Sequence, residues 1–97
     1  MPIARIIYTT FPPEEAAAAE KDWKEECAPL MIRQPGCRSE ELLRCVTAPG
    51  EYISYSEWAD MASIDNYLKS DDHQEIKRRT SNIKGATVVV KNYEIVA

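Results

Sequence analysis

Glu51–Arg79, EYISYSEWADMASIDNYLKSDDHQEIKRR, reads as a strand ending in Trp58, a stop at Ala59-Asp60, a helix, a polar break at Ser70–Asp72 and a second helix. The strand alternates with the period of two that a pleated backbone imposes. One face carries Tyr52, Ser54, Ser56 and Trp58; the other carries Ile53, Tyr55 and Glu57. Two hydroxyls between two large aromatics are unusual for a plain core. Buried serines need hydrogen-bond partners, so this face either lines a wet cavity or holds small, locally bonded fillers. Asp60 suits an N-cap for a helix Met61–Lys69, with Met61, Ile64, Tyr67 and Leu68 on its apolar side. Asp71 and Gln74 have capping-box spacing for a last helix, His73–Thr80, with Ile76 inward and Lys77, Arg78 and Arg79 near its negative end.

Upstream, Pro2–Thr10 is a strand with apolar side chains on both faces, ended by Phe11-Pro12-Pro13. Glu14–Met31 is the long helix, started by Pro13 and two glutamates. Ala16, Ala19, Trp23, Cys27 and Leu30 or Met31 make its apolar stripe. Pro29 interrupts it and predicts a kink or a fresh short turn near Cys27–Leu30. Gln34-Pro35-Gly36 stops the helix, and Cys37–Thr47 is a strand joined to Glu51–Trp58 through Ala48-Pro49-Gly50 as a hairpin. Downstream, Ala86–Val96 is a β-branched fourth strand.

The order β-α-β-β-α(α)-β predicts an α+β, ferredoxin-like fold with a four-stranded antiparallel sheet and helices on one face only. The strands are apolar or aromatic on both faces, so the free face is expected to be covered by a second copy as a C2 homodimer.

A chain of 97 residues allows one domain, 1–97, small enough to gain from a partner's core. Its net charge of −4 argues against nucleic acid and against an anionic membrane as partners. The three cysteines, Cys27, Cys37 and Cys45, show no metal-ligand spacing and read as buried, reduced thiols of a cytoplasmic protein. The start, MPIARIIYTT, lacks signal-peptide architecture, and no segment approaches the ~20 apolar residues of a membrane span.

Ala28–Cys45, APLMIRQPGCRSEELLRC, and Pro49–His73, PGEYISYSEWADMASIDNYLKSDDH, resemble the antibiotic biosynthesis monooxygenase family. The resemblance covers nearly the whole chain. It implies a dimeric α+β barrel with a cavity between sheet and helices in each subunit. Members that oxidise aromatic polyketides use no metal and no flavin; the substrate is deprotonated and passes an electron to dioxygen. The resemblance carries Trp58 and Arg78 over as catalytic, at the family's spacing of twenty residues, while Ser54 stands where those enzymes have Asn and Ile64 where they have Tyr. Ser54, Ser56, Tyr67 and Trp23 are the expected substrate-binding residues. A haem-opening branch of the family has an Asn in the first strand and a haem-ligating His in the last helix. Ile3–Thr10 holds no Asn, and the lone His73 precedes the ligand position, Lys77, by four residues; it reads as a solvated first-turn residue. The expected function is cofactor-independent monooxygenation of a small aromatic or quinol-like compound, the alternative a non-catalytic small-molecule-binding dimer.

Overall fold

A computed structural model describes residues 1–97. The β-branched run IARIIYTT forms β1 (Ile3–Thr10), which pairs antiparallel with both β3 (Glu51–Trp58) and β4 (Thr87–Glu94). β2 (Cys37–Arg44) pairs with β3, so the order across the sheet is β2-β3-β1-β4. This is the ferredoxin-like α+β fold that the order of elements predicts. The register sets Arg5 beside Ser56 and Asn92, and Ile7 beside Ser54 and Val90. From β2, Glu40 lies opposite Ser56 and Leu42 opposite Ser54. All of these share the helix-covered face.

The long helix is three pieces: α1 (Pro13–Asp22), a π-helical turn (Trp23–Cys27) and α2 (Ala28–Ile32). Ala28 N–H donates to Trp23 O, five residues back, which is the signature of the wide turn. Pro29 brings no N–H, and the chain adjusts ahead of it. The irregularity predicted near Cys27–Leu30 therefore begins at Trp23. β2 ends at Arg44 rather than Thr47: Cys45 N–H still reaches Glu51 O, but Glu51 N–H turns to Ala48 O and Val46 is left exposed.

α3 (Met61–Leu68) is capped as expected, Asp60 Oδ1 accepting from Ser63 N–H at 2.8 Å. α4 (Asp71–Ser81) is capped differently from the Asp71–Gln74 expectation. Ser70 is its N-cap, its Oγ accepting from His73 N–H at 3.1 Å, so Asp71 and Asp72 are inside the first turn. Asp72 is turned outward to Arg33 and Gln34.

The core joins Trp58, Met31, Cys27, Ile64, Tyr67, Ile76 and Ile3. Trp58 is wholly buried, and its ring stacks on Tyr67 with centroids 5.2 Å apart. The opposite sheet face carries Tyr8, Leu43, Val89 and Tyr93, each more than a third exposed. Every residue of β4 is exposed. No helix is long and apolar enough to cross a membrane.

Candidate active site

A cavity of about 430 Å³ lies between the sheet and the helices. β1 supplies its floor through Arg5, Ile7 and Thr9, the residues that strand alternation turns toward the helices. Ser54 and Leu42 continue the floor toward β2; Val88, Val90 and Asn92 continue it across β4. Trp23 closes one side, and Tyr67, His73, Ile76 and Lys77 form the roof. The lining is mainly apolar, with a few polar groups, as in sites for small organic ligands.

One polar cluster stands at the floor. Arg5 is only 5% exposed, and its guanidinium carbon sits 5.7 Å from the Tyr67 ring centroid. Its Nη1 is buried without a hydrogen-bond partner. Burial lowers its pKa from the ordinary arginine value, opposed by the nearby Tyr67 and Glu40. Glu40 Oε1 accepts from Ser54 Oγ at 2.8 Å and from Trp23 Nε1 at 3.2 Å. Its Oε2 is buried and unpaired. Burial pushes the Glu40 carboxyl up to about 7, against the opposing pull of Ser54, Trp23 and Arg5. A buried cation and a half-buried acid thus lie near one another without a hydrogen bond between them, and each has a buried polar atom that lacks a partner.

The sequence-predicted residues divide. Ser54, Tyr67 and Trp23 line the cavity. Trp58 lies behind Tyr67, its Nε1 donating to Ser56 Oγ at 2.9 Å. Ser56 is wholly buried, donates to Arg5 O and borders no cavity space. Arg78 is elsewhere: its side chain is 62% exposed, bonds to Glu75 one turn back, and borders a separate shallow groove on the outer side of α1 and α4. Helix periodicity explains the correction, since Ile76 is the residue of this turn that faces the sheet and Arg78 falls outside it.

His73 is also corrected. It is half-buried and packs edge-on against Tyr67 at 5.0 Å, lining the roof instead of facing solvent. Burial and the Arg5 charge lower its pKa, which favours neutral imidazole. Burial raises the Tyr67 hydroxyl well above its usual range, so it remains a phenol. Of the thiols, only Cys27 is buried, its pKa pushed up to about 12 by that burial; Cys37 and Cys45 are half-buried and all three are free. No three His, Cys, Asp or Glu side chains converge as metal ligands would.

Sequence reasoning missed Arg5 and Glu40. Arg5 had a usable signal: it is the sole charge in the strand, at the parity of Ile3 and Ile7. Glu40 had none, because Ser39-Glu40-Glu41 reads as a polar strand and a local bulge between Cys37 and Ser39 resets its alternation.

The sequence profile of the antibiotic biosynthesis monooxygenase family matches residues 2–79. Among solved structures, Rv0793 from Mycobacterium tuberculosis superposes with a TM-score of 0.84 at 18% identity, covering 100% of this chain and 97% of that one. A candidate antibiotic biosynthesis monooxygenase from Bordetella bronchiseptica gives 0.86 at 23% identity, covering 99% and 98%. Another from Deinococcus radiodurans gives 0.85 at 15% identity, covering 100% and 94%. No curated protein matches the sequence. At these identities the structural likenesses speak for the fold.

Proposed function

The chain belongs to the antibiotic biosynthesis monooxygenase family, and from that premise we propose that it is a cofactor-independent monooxygenase of a small aromatic or quinol-like compound. The observation that carries the reading is the aromatic-walled cavity of about 430 Å³ with a single buried guanidinium, Arg5, on its floor. Loss of a proton gives the substrate an electron-rich anion. That anion passes an electron to dioxygen, and the two radicals join as a hydroperoxide. Loss of water then leaves a carbonyl, so one oxygen atom ends in the product and the other in water. The protein's share is to favour the anion and keep water out. Arg5 favours negative charge, Tyr67 and Trp23 are flat walls, and Ser54 faces the reacting group. Trp58 acts through Tyr67, which it holds by stacking.

Oxygen uptake with a panel of hydroquinones and anthrones tests this directly. Substrate-dependent uptake above buffer that falls in Trp58→Phe is the expected result. Ligand-induced melting shifts with no uptake on any member would replace the reading with that of a non-catalytic binding protein.

The second copy is part of the same proposal. Tyr8, Leu43, Val89 and Tyr93 form an exposed apolar face on a chain of 97 residues, and a homodimer through that face would bury it. Sedimentation at micromolar concentration is expected to give twice the 11.0 kDa chain mass; a stable monomer would rule the dimer out.

A further inference from the structure

Glu40 does not line the cavity, yet it holds two residues that do. Its Oε1 accepts from Ser54 Oγ of the floor at 2.8 Å and from Trp23 Nε1 of the wall at 3.2 Å. The two donors come from β3 and from the π-helical turn, so one carboxyl oxygen spans sheet and helix. The other side-chain hydrogen bond joining β2 to this helix, from Arg44 to Glu20, is exposed. Trp23 is the first residue of the π-helical turn, where the helix already departs from regular geometry. Single wide turns of this kind recur at functional sites.

The second carboxyl oxygen, Oε2, is buried without a partner. On a protonated carboxyl that atom is neutral. On an ionised one it carries charge with no donor beside it, which is far more costly. Withdrawal of the indole would let water supply the donor. We infer that Glu40 is a positioning residue that latches the Trp23 wall of the cavity while it is protonated and releases the wall when it ionises. It touches no ligand and acts through Trp23. The latch holds whether the cavity oxidises its ligand or only binds it, so it goes beyond the functional reading.

The direction follows from linkage. With the wall in place, burial raises the Glu40 carboxyl to about 7, against the opposing pull of Ser54, Trp23 and Arg5. With the wall withdrawn, the hydrated carboxyl returns toward the ordinary 4.5. The open form therefore binds its proton less tightly and gains population as pH rises between these values. The charged and titratable groups around Glu40 are Arg5 from β1, Tyr67 from α3, and Glu41 and Cys37 from its own strand. β3 and the π-helical turn present the uncharged Ser54 and Trp23. Burial raises Tyr67 and Cys37, which stay neutral in this window, and Arg5 stays cationic. His73 of α4, next to Arg5 and Lys77, titrates on its own account.

The test is solvent exchange of the indole N–H groups in the full chain, followed by NMR with nitrogen-15 labelling. The chain has two tryptophans, and loss of one indole signal in Trp23→Phe assigns the pair. The quantity read is the Trp23 exchange rate in wild type divided by that in Glu40→Gln at the same pH. Glutamine keeps an acceptor oxygen for both donors but cannot ionise. Base catalysis of exchange and the titration of His73 are common to both proteins and cancel. The ratio should rise at least about tenfold between pH 5 and 7.5 and level off above. The Trp58 indole, bonded to Ser56 Oγ, should give a ratio flat in pH. Should Glu40→Gln fail to fold, Trp23 exchange divided by Trp58 exchange in wild type gives the same profile. A Trp23 ratio flat in pH overturns the latch. So does one that falls above neutrality, which would show ionised Glu40 gripping the indole harder. A rise shared by Trp58 overturns it too, as general loosening. No substrate enters the measurement, so a failure of oxygen uptake removes the monooxygenase reading alone, and a flat ratio removes this inference alone.

Discussion

Arg5 and Arg78 lie on two sides of the same molecule and obey different physics. Arg5, on the inner strand β1, is 5% exposed, and its buried Nη1 has no hydrogen-bond partner. Arg78, on α4, has a side chain 62% exposed and a carboxylate partner on its own helix. The first is a charge kept dry near a cavity, where it acts strongly on any anion. The second is a solvated ion pair of small consequence. Family spacing points to Arg78; the parity of β1 points to Arg5. A cation's use follows from what it faces and what already neutralises it.

The largest expected effect breaks the comparison if it fails. Arg5→Met should cut oxygen uptake about a thousandfold, roughly 4 kcal/mol of lost transition-state stabilisation. Its thermal stability should hold or rise, because an apolar side chain of similar length replaces a buried charge with an unpaired donor. Arg78→Ala should keep uptake within about twofold, as expected of an exposed pair. Equal losses in both variants would show that the cavity cation has no special role.

The next effect sharpens the inner side. Burial raises the Glu40 carboxyl from the ordinary 4.5 to about 7. Between those values the folded protein holds a proton that the unfolded chain has released. Stability contributed by Glu40 is therefore intact below pH 4.5, falls as pH rises through the window, and carries the full penalty of about 3 kcal/mol above pH 7. Glu40→Gln removes the titration. Its advantage over wild type should be small at pH 4.5 and grow toward pH 8 in denaturant melts, with other titrations, such as that of His73, cancelling in the difference. A difference flat in pH would mean that Glu40 ionises freely.

These two residues also mark how far the sequence could be read. Alternation in Glu51–Trp58 identified the face bearing Tyr52, Ser54, Ser56 and Trp58, and all four are buried on the helix side. Strand parity is a local rule, so it survives folding. Arg78 was a longer extrapolation, from spacing twenty residues past Trp58 across two helices and a capped break. The α4 cap is Ser70 rather than Asp71, but Ile76 faces inward as its periodicity predicts, and Arg78, two positions on, falls outside that face. Trp23 was legible as an apolar-stripe residue, but its bond to Glu40 was not. That bond arises at the π-helical turn, and the tertiary approach of β2 is not a pattern in either segment. Charges that work in a cavity were the hardest to see, because polarity alone reads as surface.

The smallest effect separates two arginines that differ by one position. Arg79 bonds Glu75 at 2.9 Å on its own helix, Asp22 of α1 at 2.8 Å, and approaches Glu26 of the π-helical turn at 3.7 Å. Its side chain is 30% exposed, half the exposure of Arg78. Arg79 therefore ties α4 to the first helical segment, whereas Arg78 only decorates α4. Arg78→Ala should alter stability by no more than about 0.5 kcal/mol, the range of ordinary surface changes. Arg79→Ala should lower the melting temperature measurably at low ionic strength, because the Asp22 and Glu26 carboxylates lose their shared counterion. In 1 M salt the Debye length shrinks to about 3 Å, and the two variants should converge. A deficit in Arg79→Ala that persists in high salt would mean that its aliphatic stem packs across the two helices, and that the outer face, unlike the inner one, uses an arginine for more than its charge.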